Sequence, residues 1–455
     1  MFGGQQVVNI ICSIARTKLV ALWIGPSGIG LFGIFNSAVE TIGGLSQLNM
    51  RQTAVREMAA ATPHRIGAVA LSVRRIALWL GLLGAAIMLC LSPWLAESSL
   101  GDSSGWTSFA WLSICVALIA VNNGEAAIFQ GFRQFHKLTL CLTIGAIGGL
   151  IVSAPMFYFW RIKSIVPSII VFYIVTWLAL GFYRHKLPNP DRTMSVKQTF
   201  AIGRKFLQLG IFMTISELAV NAINYIFLAY LSRNADIDTA GIYSAGFTLT
   251  TRYAGLVFSA IAMEYFPRLA SVAGHPARES AFVSNQALIA LAILVPIATT
   301  FIALLQPVVR LLYSSAFLAV IPMAALAMTG TALRAVAWCM GFVIVARGDG
   351  KIFLFTEVLS AAIALTLNVL GYNIAGFVGL GVAYTLWYLL YAVIVAIVYF
   401  RCYRLSINRV VWSRLTYAII IITVSATLAV WLSAWWCIPF VFISWIVALF
   451  TLRRS

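Results

Sequence analysis

Residues 352–400 read IFLFTEVLSAAIALTLNVLGYNIAGFVGLGVAYTLWYLLYAVIVAIVYF and carry a single charged side chain, Glu357. A bilayer core about 30 Å thick is crossed by a helix of about 20 apolar residues. The stretch is long enough for two crossings, and the pattern predicts spans over 352–372 and 377–400. Backbone N–H and C=O groups in hydrocarbon must bond within their own segment, so these runs are helices and not open strands.

The same pattern repeats along the chain. Of its 455 residues, 62% are hydrophobic and only 10% charged, with a mean hydropathy of +0.95. A soluble domain is nearer half apolar and about a quarter charged. This excludes a water-soluble enzyme and leaves no room for a large extramembrane domain. Fourteen spans are expected, near 5–24, 28–50, 76–96, 106–129, 138–160, 164–184, 206–231, 239–263, 281–306, 318–345, 352–372, 377–400, 411–432 and 435–452. The fold class is therefore an all-α polytopic membrane protein. Its expected organisation is an N-terminal six-helix lobe (1–184), a cytoplasmic linker (185–205), a second six-helix lobe (206–400) and an additional helix pair (401–455). Trp94, Trp106, Trp160, Trp412, Trp431 and Trp436 sit near span ends, where an aromatic belt is expected.

Charge in the loops orients the chain. With the N-terminus placed in the cytoplasm, 23 of the 31 Lys and Arg residues fall in inner loops and four (Arg161, Lys163, Arg233 and Arg310) in outer ones. That asymmetry follows the positive-inside rule and puts both termini on the cytoplasmic side. The formal net charge of +18 then belongs to loops facing the cytoplasm and anionic lipid heads, and no nucleic-acid partner is expected. The opening residues lack a charged n-region, and Arg16 and Lys18 interrupt the apolar run, so they do not read as a cleavable signal. Residues 51–75 alternate arginines with apolar residues, as an interfacial amphipathic helix does.

The two sides of the linker resemble each other. Residues 28–57 and 239–268 each open on a small-residue turn (Gly30, Gly241), run through one span and leave at a charged exit. Six spans separate them, so both run inward and the repeat is parallel.

An ionisable side chain at bilayer depth costs about 2.5–3.5 kcal/mol on insertion scales and marks a functional candidate. Six lie well inside spans: Arg16, Lys18, Glu40, Glu217, Arg252 and Arg334. Glu125, Glu264 and Glu357 lie nearer inner ends, within expected reach of water. The deep set has four cations and two carboxylates, so an anionic ligand or a watery cavity should satisfy the surplus. Arg16, Lys18, Arg252 and Arg334 are the candidate substrate-binding cations of a cleft. Glu40 and Glu217 are the candidate coupling or ion-pair carboxylates.

Other patterns are weaker. The seven cysteines lie in or beside apolar runs without metal-ligand spacing. Gly25-Pro26-Ser27-Gly28-Ile29-Gly30 lacks the Gly-Lys-Ser/Thr of a phosphate loop and reads as a turn between spans. Arg347-Gly348-Asp349-Gly350-Lys351 is a short inner turn. No nucleophile–base set and no long outer loop is present, so neither an enzyme activity, a cofactor nor a metal site is expected.

Residues 16–33 (RTKLVALWIGPSGIGLFG) with Val55-Arg56-Glu57, and residues 347–381 (RGDGKIFLFTEVLSAAIALTLNVLGYNIAGFVGLG), resemble bacterial O-antigen translocases. These are polysaccharide flippases of the multidrug/oligosaccharidyl-lipid/polysaccharide (MOP) exporter superfamily. The resemblance covers most of the chain and is weakest over 401–455. It implies two six-helix lobes around a cationic cleft and alternating access. Its implied substrate is an undecaprenyl-pyrophosphate-linked oligosaccharide, moved from the cytoplasmic to the periplasmic leaflet of the inner membrane. Membrane lipids, a polysaccharide polymerase and a chain-length regulator are the implied partners. A lipid II type flippase and a drug/cation antiporter of the same superfamily are the alternatives; an antiporter should carry an excess of deep carboxylates, and here cations exceed them.

Overall fold

The computed structural model describes residues 2–60, 65–184, 195–252 and 274–452, with single positions at 255, 258, 261, 265, 268, 269 and 272. The chain is helical and, among the described residues, has no strand. Nine helical stretches of the described residues are long and apolar enough to cross a membrane; two of them, Phe135–Arg184 and Gly350–Cys402, each hold two of the expected spans.

Packing divides the chain into two units, Met1–Gly241 and Ile242–Ser455. The first contains α1 (Phe2–Trp23), α2 (Pro26–Gln47), α3 (Met50–Ala60), α4 (Ile66–Leu100), α5 (Trp106–Gly131), α6 (Phe135–Trp160), α7 (Ile165–Arg184) and α8 (Val196–Asn234). The turn between α1 and α2 needs Gly25 at φ +92°, and Pro26 then opens α2 at a position where its missing N–H costs nothing. Both α4 and α8 start about ten residues before the spans expected from hydropathy: 66–75 (IGAVALSVRR) and 196–205 (VKQTFAIGRK) extend each helix on its N-terminal side. At the start of α8 a capping box, Ser195 with Gln198, satisfies two of the free N–H groups.

Residues 50–60 form the amphipathic helix expected after span two. Its apolar stripe, Met50, Ala54 and Met58, is buried against Val73 and Ala77 of α4 and Phe129 of α5. The stripe therefore packs on protein rather than on the lipid surface. Gly124 permits this close α4–α5 approach, since a Cβ there would meet that of Ala77 at 2.6 Å.

The second unit begins within α9 (Ile237–Phe247), which passes into a π-helical turn at Thr248–Arg252. It continues with α10 (Pro276–Ala303), α11 (Leu305–Leu312), α12 (Ile321–Ala346), α13 (Gly350–Ile397), α14 (Arg409–Trp431) and α15 (Ile438–Leu452). Of these, α12 is the central helix, largely buried by α10, α13 and α14. The pair α14 and α15 packs on α10, where Thr299 and Ser444 share a 2.8 Å hydrogen bond.

As expected from the two spans predicted over 352–372 and 377–400, α13 is two helices joined by a kink. Ala375 and Gly376 leave helical geometry, and Gly376 sits at φ +54°. The two arms fold back antiparallel. Gly371 and Gly379 touch backbone to backbone, the indole of Trp387 donates to Ser360 Oγ at 2.9 Å, and Tyr391 donates to Glu357 Oε1 at 2.8 Å.

Candidate functional site

The most developed polar cluster within the apolar region of the second unit surrounds Arg334, at the middle of α12. One turn before it, Gly330 lets α13 come close: a Cβ there would lie 2.8 Å from the ring of Tyr384 and 3.0 Å from Cα of Thr385. That approach brings the Tyr384 hydroxyl to 3.5 Å from Arg334 Nη1, where it accepts a long hydrogen bond. The guanidinium carbon lies 4.8 Å from the ring centroid of Phe258 and 5.5 Å from that of Tyr388. Phe258 is backed in turn by Trp338, at 5.4 Å between centroids. Cation–π contacts are each worth about 0.5–2 kcal/mol, most when desolvated. They offset part of the burial of this charge without neutralising it. Among the described residues, no carboxylate makes an ion pair with Arg334.

Glu357 lies on the same helix pair. It is partly exposed, and its carboxylate also accepts a hydrogen bond from the Tyr391 hydroxyl inside the α13 hairpin. Tyr384, Tyr388 and Tyr391 are four and three residues apart, so they line one helical face. That face presents hydroxyls to Arg334 and to Glu357.

In the first unit, Arg16 of α1 is held between two aromatic rings, 4.9 Å from the centroid of Phe32 on α2 and 5.3 Å from that of Phe172 on α7. Lys18 and Glu40 are partly buried, and neither stands free. Near Glu40 on α2, Ser37 is buried and accepts a 2.8 Å hydrogen bond from Asn224 of α8. The side chains of Arg252 and Glu217 lie outside the described residues, as does Glu264.

Two further carboxylates are committed to ion pairs. Glu125, whose side chain is only 7% exposed, is gripped by Arg74 through Nε–Oε1 at 2.6 Å and Nη2–Oε2 at 3.0 Å, with Arg184 at 3.8 Å. It is paired and buried rather than in water, contrary to its expected place. Glu279, fully buried, is gripped by Arg347 in the same two-point manner. That hydrogen bond holds the Arg347 guanidinium above its ordinary pKa. Arg347 also lies 4.5 Å from the centroid of the Tyr403 ring, whose hydroxyl donates to Asp349.

Sequence reasoning found Arg334 but missed its cage. The available signal was the spacing of Tyr384, Tyr388 and Tyr391, three hydroxyls on one face of an otherwise apolar span. The partner helix of that face could not be read from it.

A family model described as "Polysaccharide biosynthesis protein" matches residues 63–322, more than half of the chain. The chain belongs to this family. No curated protein sequence matches it. Several solved structures share the fold of this polysaccharide biosynthesis protein at low identity. One is an inward-facing multidrug resistance MATE family transporter of the MOP superfamily, with 13% identity, 91% of this chain and 95% of that chain covered, and a TM-score of 0.69. Another is the lipid II flippase MurJ in an inward closed conformation, with 11% identity, 100% and 97% covered, and a TM-score of 0.68. A third, at 15% identity with 91% and 93% covered and a TM-score of 0.56, is a MOP superfamily transporter from Pyrococcus furiosus described by the reverse polarity of its binding pocket. The family member described here thus has the fold of the MOP transporters.

Proposed function

We propose that this polysaccharide biosynthesis protein is a flippase for a lipid-linked glycan. Its substrate is an undecaprenyl-pyrophosphate-linked oligosaccharide, the repeat unit of an O-antigen or related surface polysaccharide. It carries this from the cytoplasmic to the periplasmic leaflet of a bacterial inner membrane, with both of its own termini in the cytoplasm. The working parts are two six-helix lobes, 1–184 and 206–400, joined by the linker 185–205, with 401–455 appended. A polysaccharide polymerase and a chain-length regulator are the expected functional neighbours.

The observation that carries this reading is Arg334, a guanidinium at mid-helix with aromatic and hydroxyl neighbours and, among the described residues, no carboxylate ion pair. A cation kept at this depth without a direct carboxylate ion pair is suited to an anion that must leave water, and a guanidinium presents a planar fork to the oxygens of a diphosphate. Arg16, Lys18 and Arg252 extend the cationic path, and Glu40 and Glu217 act as coupling carboxylates. A membrane potential negative inside favours outward movement of an anion by about 2.3 kcal/mol per charge per 100 mV, which gives export a driving force without nucleotide hydrolysis.

The test is transport by the purified chain in proteoliposomes, using a fluorescent polyprenyl-diphosphate saccharide whose leaflet is read by an impermeant quencher. Translocation that responds to an inside-negative potential supports the reading. Transport of fluorescent organic cations but not of the lipid-linked saccharide would replace it with the antiporter.

A further inference from the structure

Within the first unit, α2, the start of α5 and the start of α7 enclose a chamber of about 660 Å3. That volume falls in the range of sites that enclose one small ligand, about 300–1,000 Å3. The walls are mostly apolar, with Phe35, Trp111 and Ile170 among them, while Lys163 and the hydroxyls of Thr107 and Ser108 supply the polar groups.

Its place along the membrane normal follows from α5. Thr107 lies in the first turn of α5 and Glu125 eighteen residues later, roughly 27 Å apart at 1.5 Å per residue. The chamber is therefore at the membrane face opposite the Arg74–Glu125 pair. Trp106 and Trp160, 47% and 60% exposed, mark the interface at that end.

Two features identify what enters. First, the chamber has an exposed apolar wall: Trp111 and Ile162 are 62% and 50% exposed, beside the Trp106 and Trp160 indoles that mark the membrane interface, where acyl chains are the natural cover for apolar side chains. Second, the polar end is cationic and unspent. Among the described residues Lys163 has no carboxylate partner, and the hydroxyls of Thr107 and Ser108 have no hydrogen-bond partner. A ligand arriving from the bilayer, with an anionic head for an ammonium and two hydroxyls and a hydrocarbon chain for an apolar chamber, is an anionic phospholipid. We infer that this chamber is an anionic-phospholipid site, with the phosphate at Lys163, Thr107 and Ser108 and one acyl chain inside. Nothing in this assignment depends on the transport reading.

The experiment is native mass spectrometry of the delipidated full chain given equimolar phosphatidylglycerol and phosphatidylcholine of the same chain length. The wild type should retain phosphatidylglycerol with at least threefold preference. Loops rich in Lys and Arg also hold anionic lipid, so the readout is the most tightly retained lipid: Lys163→Gln should lower the phosphatidylglycerol preference of that lipid at least twofold, and Ile170→Trp, which fills the chamber, should remove one bound lipid of either kind. Lys197→Gln, a cation outside the chamber, should change nothing. Lys163 is exposed, so its replacement tests the site even if Ile170→Trp disturbs folding. Equal retention of the two lipids, or a preference that Lys163→Gln leaves unchanged, overturns the assignment. Undecaprenyl phosphate displacing phosphatidylglycerol at substoichiometric concentration overturns it too, and makes the carrier lipid the occupant.

Discussion

Gly30 of α2 and Gly241 of α9 meet backbone to backbone: a Cβ on Gly30 would lie 3.1 Å from the nitrogen of Gly241, and one on Gly241 would lie 2.9 Å from the nitrogen of Gly30. One turn earlier, the carbonyl of Ile237 closes on Gly30 and that of Pro26 closes on Gly241. The contact is reciprocal, and its members are the two glycines that open the stretches 28–57 and 239–268, whose sequences resemble each other.

The first prediction concerns this crossing. A side chain at either glycine would strike a backbone carbonyl, which cannot swing aside as a flexible side chain can. Gly30→Val and Gly241→Val should each destabilise by at least the roughly 1–3 kcal/mol of an overpacked core. Fluorescence-detected size exclusion after heating should show an earlier loss of the folded peak. Gly181, with nothing near its Cβ position, is the control, and Gly181→Ala should behave as wild type.

The second concerns the buried ion pairs. In the first unit the cation is on the earlier helix and the acid on the later one (Arg74 of α4, Glu125 of α5). In the second unit the order is reversed, with Glu279 on α10 and Arg347 at the end of α12. Removing one partner of a buried pair strands the other, at about 3–5 kcal/mol. Glu125→Gln should lower thermal stability accordingly, and the exchange Arg74→Glu with Glu125→Arg should recover part of it. Equal stability of Glu125→Gln and wild type would show that the pair is not desolvated in the membrane.

The third concerns Arg334. If it handles a diphosphate, Arg334→Ala should abolish surface glycan at normal membrane abundance, and Arg334→Lys should restore only part. Lys keeps the charge but loses the planar fork and the stacking on Phe258 and Tyr388. The same series at Arg252 is expected to behave alike. Surface glycan and membrane abundance measured on the same cells decide it; full export with Arg334→Ala removes this residue from substrate handling.

The fourth concerns coupling. Glu40→Gln and Glu217→Gln should each slow flipping under an imposed proton gradient without lowering abundance. Unchanged rates in both would leave these carboxylates without a proton role.

The fifth concerns orientation. Reporter fusions after Leu100 and after Asp236 should be active outside, and fusions after Asp191 and after Ser455 inside. Any other pattern of the four refutes the fourteen-span topology.

Much of the helical framework was legible because the bilayer imposes one rule on every segment. Backbone groups in hydrocarbon must pair within the helix, so hydropathy alone separates span from loop. The kink at Ala375–Gly376 was visible for the same reason, as a short break in a run too long for one crossing. Helix ends were less legible. Ile66 and Val196 start helices about ten residues early because helical geometry does not stop where the apolar window does: 66–75 ends on Arg74 and Arg75, and 196–205 mixes apolar residues with Lys197, Arg204 and Lys205.

The site was legible in part. A cation in an apolar run announces its own cost, and that singled out Arg16 and Arg334 from the sequence. It did not say that Phe32 and Phe172 would flank one, or Phe258, Tyr384 and Tyr388 the other. Glu125 was misplaced because its distance from a span end says nothing of which neighbour reaches it first, and that neighbour is Arg74.

By itself, then, the sequence determined an all-helical membrane chain and singled out Arg16 and Arg334 as charges set within apolar runs. These are properties of single segments in a known solvent. Only the tertiary structure decided which charges are spent on each other, as Arg74 is on Glu125 and Arg347 on Glu279, and which sit among aromatic rings and hydroxyls, as Arg334 does. Helical periodicity assigns each residue a face, but the partner of that face is set by side-chain packing and close glycine contacts between segments distant in sequence.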